Sequence, residues 1–216
     1  MIPKHDSSIV REPFGVFDRM FAAVEKVRER LNRACNALEQ SQVPYAVIGG
    51  NAVGYWVAQV NEAAVRFTRD VDVLIRREDL PGVSKAMEAA GFRYRHVRGI
   101  DMFMDGPKNS VEDAVHLLFA DEKVRPTDLA ATPSINESIP GNGYQVLSLE
   151  ALVRMKLTSF RLKDQTHLDD MLRFRLIDAS LKVRLPSELA ERFQKVLDQF
   201  EPNLGDEDDP SFVDSE

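Results

Sequence analysis

Apolar residues recur at steps of three and four from Phe17 through Met20, Val24, Val27, Leu31 and Ala34 to Leu38. This is the stripe of an amphipathic helix over about residues 16–41. Cys35 lies beside the stripe, where a buried structural thiol is expected. Pro44 stops the helix, and Tyr45-Ala46-Val47-Ile48 reads as a short buried strand. Gly49-Gly50 ends that strand, and Asn51 is placed to cap a helix running from Ala52 to Val60. After the segment Arg66-Phe67-Thr68-Arg69-Asp70, Val71 to Ile75 forms a second predicted strand. Asp79 is placed to cap the next helix, which runs to Ala90 and stops at Gly91. Phe92 to Val97 and Ile100 to Met104 read as a hairpin turning near Gly99. Ala114 to Phe119 reads as another strand, apolar except for His116, and the Pro-, Thr-, Ser-, Asn- and Gly-rich residues 121–143 as a long connector.

From Ser148 onward the period changes. Leu149, Leu152, Val153, Lys156, Leu157 and Phe160 fall along one helical face, with Ser148 a weak cap signal. Further helices are predicted over about Thr166 to Phe174 and, after Pro186, Ser187 to Phe200. The pattern therefore divides the chain into an α/β part with its N-terminal helix, residues 1–143, a helical region, 144–200, and a tail, 201–216.

Charge sharpens the last boundary. The net charge of −7 comes from the tail, whose sixteen residues hold seven acids and no base; the remaining 28 acids equal the 28 Lys and Arg. A solubilising disordered tail is expected there, on a neutral body that offers no broad surface for nucleic acid. No apolar run approaches the roughly 20 residues that span a bilayer. The polar N-terminus does not read as a secretory signal, and one cysteine without a partner fits a reducing cytoplasm. Four scattered His and a single Cys do not make a structural zinc site.

Two features carry candidate chemistry. Gly49-Gly50 lies between a buried strand and a helix start, where a phosphate can approach a backbone without Cβ atoms and meet free N–H groups. Taken alone it is as readily a tight turn that binds nothing, and IGGNAVG lacks the spacing of a dinucleotide fingerprint. Asp70 and Asp72 share one face of a strand start, about 6.6 Å apart, a spacing at which two carboxylates can hold hard cations such as Mg²⁺. Val71, Val73 and Ile75 then face the core. D-x-D is a cheap pattern, since the tail repeats it at Asp206 and Asp208; its context after a glycine turn and a helix is what raises it. Arg66 and Arg69 stand just upstream and read either as phosphate contacts or as surface charges, the latter preferred for Arg66.

YAVIGGNAVGYWVA followed by VRFTRDVDVLI resembles the DNA-polymerase-β-like nucleotidyltransferase superfamily, whose signature is an apolar residue with Gly-Gly or Gly-Ser, then D-x-D or D-x-E, then a third acid on a later strand. LSLEALVRMKLTSFRLKDQTHLDDML is similar to the C-terminal helices of small bacterial members related to abortive-infection and toxin–antitoxin nucleotidyltransferases. Together the matches cover about residues 43–175. The resemblance implies an α+β nucleotidyltransferase fold, a mixed β-sheet flanked by helices with a C-terminal helical segment. It implies a cytoplasmic enzyme that uses an NTP and Mg²⁺ or Mn²⁺, with RNA, protein or a small molecule as acceptor and a protein partner encoded nearby. Carried over residue by residue, Gly49, Gly50 and Asn51 would bind the nucleotide, with Arg69 and Lys156 near its phosphates. Asp70 and Asp72 would be the metal ligands and catalytic acids. Asp164 and Asp170 match polar positions of the second helix.

The chain departs from this pattern at His116, which occupies the third acidic position. Imidazole is a poor Mg²⁺ ligand but a competent base. Asp113 has the wrong strand parity to replace the missing acid, and Asp121 lies past the strand end. Two readings follow: a nucleotidyltransferase with His116 as a catalytic participant, or a degenerate one that binds a nucleotide or a protein without chemistry. A D-x-D glycosyltransferase or phosphatase fits less well, because a phosphatase nucleophile follows its apolar strand and a sugar-nucleotide transferase needs a larger donor domain. Lys156 sits among Leu152, Val153 and Phe160. Arg161, Lys163, Asp164, His167 and Asp170 otherwise read as an exposed, salt-bridged helix face.

Overall fold

The computed structural model of the chain describes residues 14–106 and 113–200; the tail 201–216 lies outside them. It is an α+β structure built on one seven-stranded mixed sheet. In chain order the strands are β1 (Tyr45–Ile48), β2 (Val71–Ile75), β3 (Phe92–Val97), β4 (Ile100–Asp105), β5 (Ala114–Phe119), β6 (Ser138–Pro140) and β7 (Gln145–Leu147). Across the sheet they lie in the order β3-β4-β5-β2-β1-β7-β6. β1 is antiparallel to β2 with Ile48 opposite Asp72, and β2 is parallel to β5 with Asp72 opposite His116. Those two registers place the end of β1, the start of β2 and the middle of β5 on one line.

Alternation along the central strands separates two cores. Tyr45, Val47, Val71, Val73 and Ile75 face helices α1 (Phe14–Gln40) and α3 (Leu80–Ala89), where they meet Leu38, Cys35 and Met87. Ala46, Ile48 and Leu74 face the other way, onto α2 (Gly49–Ala58), α4 (Leu149–Ser159), α5 (Leu162–Arg173) and α6 (Ser187–Gln199). The expected inward face of β2 is borne out, and burial pushes the Cys35 thiol up to about 12, as an inert core thiol requires. Only the C-terminal half of the α1 stripe is core. Leu31, Ala34 and Leu38 are buried, whereas Phe17, Met20 and Phe21 are exposed, because a 27-residue helix is longer than the sheet it crosses.

Several local expectations need correction. Asn51 does not cap α2; the helix already starts at Gly49, and the Asn51 amide instead donates to the Asp70 carbonyl at 2.8 Å. Asp79 makes no side-chain cap but pairs with Arg76 at 2.7 Å. The connector 121–143 contains a 3₁₀ turn, Ile135–Glu137, and strand β6, and β7 extends the sheet through Leu147. These strands are three residues each, too short for alternation to announce them. α5 begins at Leu162, four residues earlier than expected, because Asp164 accepts the backbone N–H of Arg161 and closes its first turn. The α4–α5 turn passes through Phe160 in the left-handed region, φ 49°, and Arg192 of α6 donates to the terminal α4 carbonyls of Leu157 and Thr158. No helix among the described residues is long and apolar enough to cross a membrane.

Phe103 of β4 is fully buried on the α1 side of the sheet, far along the chain from the glycine turn. Phe103→Ala is expected to lower unfolding free energy by about 3–5 kcal/mol in urea titrations; a loss under about 1 kcal/mol would mean that this side of the core can collapse around the gap.

A candidate nucleotide and metal site

The site begins with a close approach. Gly49 has φ +67°, and a Cβ built on it would lie 2.1 Å from Asp72 Oδ2. The carboxylate thus occupies the volume any other residue at position 49 would fill, and only glycine supplies both the backbone angle and the space. Gly50 serves a second contact, since a Cβ there would meet Thr68 at 2.8 Å. The loop carrying Asp70 is thereby pressed onto the start of α2. Asn51 holds its carbonyl, and Thr68 Oγ1 lies 3.4 Å from the Asp70 backbone nitrogen.

Asp70 and Asp72 both line one cleft of about 640 Å³, within the ~300–1,000 Å³ range of small-molecule sites. Their protein partners are loose: Lys163 Nζ is 3.6 Å from Asp70 Oδ2, and His116 Nδ1 is 3.6 Å from Asp72 Oδ1. The Asp72 contact raises the His116 pKa above its ordinary value, against the burial that lowers it. Asp113, by contrast, is turned to Arg30 on α1 and takes no part in the cleft, and Asp121 lies beyond the end of β5.

Beyond the acidic pair, α4 and α5 contribute a buried ionic cluster. Lys156 and Asp164 are 6% and 0% exposed and pair at 3.1 Å. Asp164 also accepts from Ser159 Oγ at 2.6 Å and from Arg161 Nε at 2.9 Å. Burial alone would raise the Asp164 pKa, but the Arg161 hydrogen bond and the Lys156 charge outweigh it and hold the group at about 2. At Lys156 the desolvation cost outweighs the attraction of Asp164 and Asp72, and its pKa falls. Lys156, Ser159, Arg161 and Asp164 all line the cleft. The expected exposed face of α5 is therefore corrected: Asp164, His167 and Asp170 are buried, while Lys163 and Arg161 remain largely exposed.

Arg66 is exposed, in keeping with its reading as a surface charge, but it is engaged: it is a bidentate partner of Asp170, at 2.7 and 3.0 Å, joining the loop before Asp70 to α5. The sequence separation of 104 residues hides that pair from any local pattern. Arg69 is exposed and does not line the cleft, whereas Lys163 stands beside Asp70. Lys163 and Arg161 carried a signal in the sequence, basic residues on both sides of Leu162 next to Asp164, but without the fold that signal was a solvated helix face.

A glycine turn and a D-x-D pair meeting across antiparallel neighbours of a mixed sheet is the arrangement of a nucleotidyltransferase. Comparison bears this out: residues 19–159 match a family described as uncharacterised nucleotidyltransferase, and the chain belongs to that family. This places it in the superfamily that the glycine and D-x-D motifs resemble. No curated protein matches the sequence. Among solved structures, the chain is similar to JHP933 from Helicobacter pylori, at 16% identity and TM-score 0.48, over 82% of this chain and 76% of that one. It is also similar to ANT(2'')-Ia in complex with adenylyl-2''-tobramycin, at 16% identity and TM-score 0.45, over 78% and 95%. The solution structure of the antibiotic-resistance factor ANT(2'')-Ia gives 13% identity and TM-score 0.43, over 80% and 83%.

Gly49→Ala is expected to cost about 1–3 kcal/mol in urea denaturation, from the left-handed angle and displacement of Asp72; an unchanged midpoint would show that the hollow can yield. His167 provides a pH prediction. Desolvation, with Lys156 and Lys163 adding to it, lowers its pKa from 6.5 to about 4, and its buried Nδ1 has no hydrogen-bond partner among the described residues. The unfolded state takes up the proton first, so stability is complete above pH 6.5 and falls as pH drops toward 4, by about 3 kcal/mol at most. His167→Leu is expected to flatten the slope of unfolding free energy over that interval, and an unaltered slope would assign the acid sensitivity to other groups.

Proposed function

We propose that the chain transfers a nucleotidyl group from an NTP to an acceptor hydroxyl, with Asp70 and Asp72 holding Mg²⁺ or Mn²⁺ against the triphosphate. The observation that carries this reading is the Asp72 carboxylate seated in the hollow of Gly49, with Asp70, His116 and Lys156 on the same cleft. The donor set fits a hard cation of this kind. Both carboxylates line the cleft, and among the described residues neither is closed off by a tight side-chain donor. No group of three or more His, Cys, Asp or Glu suited to a metal occurs among the described residues. Mg²⁺ accepts such a partial site, because it is commonly bound through one or two carboxylates with substrate phosphates and waters completing the shell. When bound, the ion supplies neutralisation of the triphosphate and of the charge that develops on the leaving group.

The chain's own groups divide the remaining work. Gly49, on the cleft wall at the N-terminus of α2, is where the triphosphate would meet the first N–H groups of the helix, which an α-helix leaves without an intrahelical partner. Lys156, Lys163 and Arg161 place positive charge beside them. The acceptor oxygen attacks the α-phosphorus, the bond from that phosphorus to the β-bridging oxygen breaks, and pyrophosphate leaves with the electron pair. His116, opposite Asp72 on the adjacent strand, is the group placed to take the acceptor proton. The likeness of the α4–α5 segment to abortive-infection and toxin–antitoxin members supports RNA or protein as acceptor in the cytoplasm, with a partner encoded beside the gene. In this reading the helices of residues 144–200, which follow the sheet strand β7 (Gln145–Leu147), supply the basic groups to the 1–143 part.

A second reading is favoured by one specific feature, the imidazole in place of the third carboxylate: binding of nucleotide without turnover. Incubation with α-³²P-labelled NTPs, Mg²⁺ or Mn²⁺, and pooled RNA and protein tests both. Labelled acceptor is expected with the native chain and not with Asp70→Asn/Asp72→Asn. Labelling that persists in the double variant would overturn the assignment of the acids. Nucleotide binding without labelled product, together with activity gained on His116→Asp, would establish the second reading.

A further inference from the structure

The cleft extends well past the acidic pair. From Asp72 and His116 it follows β5 to Leu118, one strand repeat of about 6.6 Å onward, and ends between the tip of the β3–β4 hairpin and the loop 121–132. That far arm has its own composition. Arg98 and Arg125 border it, Ile100 and Val124 give it an apolar surface, 50% and 60% exposed, and Asp128 is its one acid. Neither guanidinium has an ion pair or side-chain hydrogen bond among the described residues. Elsewhere on this chain arginines such as Arg66, Arg77 and Arg161 are engaged by carboxylates.

The walls of the arm are held in place. Arg77 clasps Glu122 with two hydrogen bonds, 2.7 and 2.6 Å. Thr132 Oγ1 donates to the Phe119 carbonyl at 2.5 Å, and the Thr132 amide to the Glu122 carbonyl at 2.8 Å. Asp128 accepts the Arg125 amide at 2.8 Å, which fixes the turn carrying that arginine. The hairpin tip is set by Arg98 and Gly99, both in the left-handed region.

We infer that this arm is the acceptor subsite and that it takes an acceptor bearing a phosphate next to the hydroxyl that reacts. The inference rests on the nucleotidyl-transfer reading above. With the triphosphate at Gly49, Asp70 and Lys156, an in-line displacement puts the attacking oxygen on the opposite side of the α-phosphorus from the leaving pyrophosphate, toward His116 and the arm beyond it. Two guanidiniums without a carboxylate partner among the described residues match a phosphate in shape and charge. Ile100 and Val124 offer a face for the ribose or base attached to it, and Asp128 keeps an oxygen for a sugar hydroxyl or an exocyclic amine. Two arginines against one acid make the arm a poor seat for a polycation. The shared chemistry is that of a free nucleotide and of the end of an RNA strand.

The test uses the whole chain saturated with a non-hydrolysable NTP and Mn²⁺, so that the donor end is filled. Binding of AMP is measured by calorimetry and binding of a fluorescein-labelled RNA octamer by anisotropy, with spermine as the polycation control. One or both phosphate probes are expected to bind; AMP alone assigns a nucleotide acceptor and RNA, with or without AMP, a strand end. Arg98→Gln/Arg125→Gln is expected to weaken that binding about 10- to 100-fold while leaving NTP affinity unchanged. The inference is overturned if neither probe binds, if only spermine does, if the double variant binds the probe as tightly as the native chain, or if it loses NTP affinity instead. Asp70→Asn/Asp72→Asn separates the two levels. Unchanged NTP·Mn²⁺ affinity there would defeat the donor-site reading, and with it the direction from which the acceptor role of the arm was argued, whereas an arginine-dependent phosphate site would persist as a measurement.

Discussion

Asp72 sits where a side chain at position 49 would be. A carboxylate can lean against the backbone at the end of the neighbouring strand only because Gly49 has no Cβ and adopts a left-handed angle. That contact, between antiparallel strands whose register puts Ile48 opposite Asp72, brings the start of α2 and the acid pair to the same wall. Gly50 repeats the device one residue on, with Thr68 filling its space. The remaining features of the cleft are arranged around those two approaches: His116 in register on β5, and the charged ends of α4 and α5 above them.

Burying Lys156 and Asp164 in the helical layer carries a desolvation cost, and the hydrogen-bond inventory shows how it is offset. Asp164 accepts from three side chains and a backbone amide, which anchors the turn between α4 and α5 and starts α5 early. Removing one partner from such a cluster leaves a buried charge uncompensated, which is costly even where the intact pair adds little net stability. The cluster thus fixes geometry, and it holds Lys156 and Asp164 in the wall of the cleft. The Arg66–Asp170 pair acts similarly at longer range, tying the loop that carries Asp70 to the helix whose Lys163 faces it.

Sequence reading succeeded wherever a local rule has one solution. The strands Tyr45–Ile48, Val71–Ile75 and Ala114–Phe119, the hairpin at Gly99 and the inward face of β2 follow from alternation, turn chemistry and burial of β-branched residues. It failed where two local rules compete or where partners are far apart. Asn51 looked like a cap, but glycine at the strand end let the helix begin earlier and freed the amide to hold Asp70. The charges of α5 looked solvated because helical spacing alone cannot tell an exposed ion pair from a buried one. β6 and β7 were too short to show a period.

What the amino-acid sequence determined by itself was the set of elements and the two motifs, because period, glycine and paired acids are local properties. It could suggest that Gly49-Gly50 and Asp70/Asp72 belong together only through resemblance. The tertiary structure decided that they touch, that His116 completes their row, that Asp113 points elsewhere, and that Arg98 and Arg125 share the far end of the same cleft. Such meetings depend on strand order and register, which are set by how whole faces pack, and no window along the chain contains them.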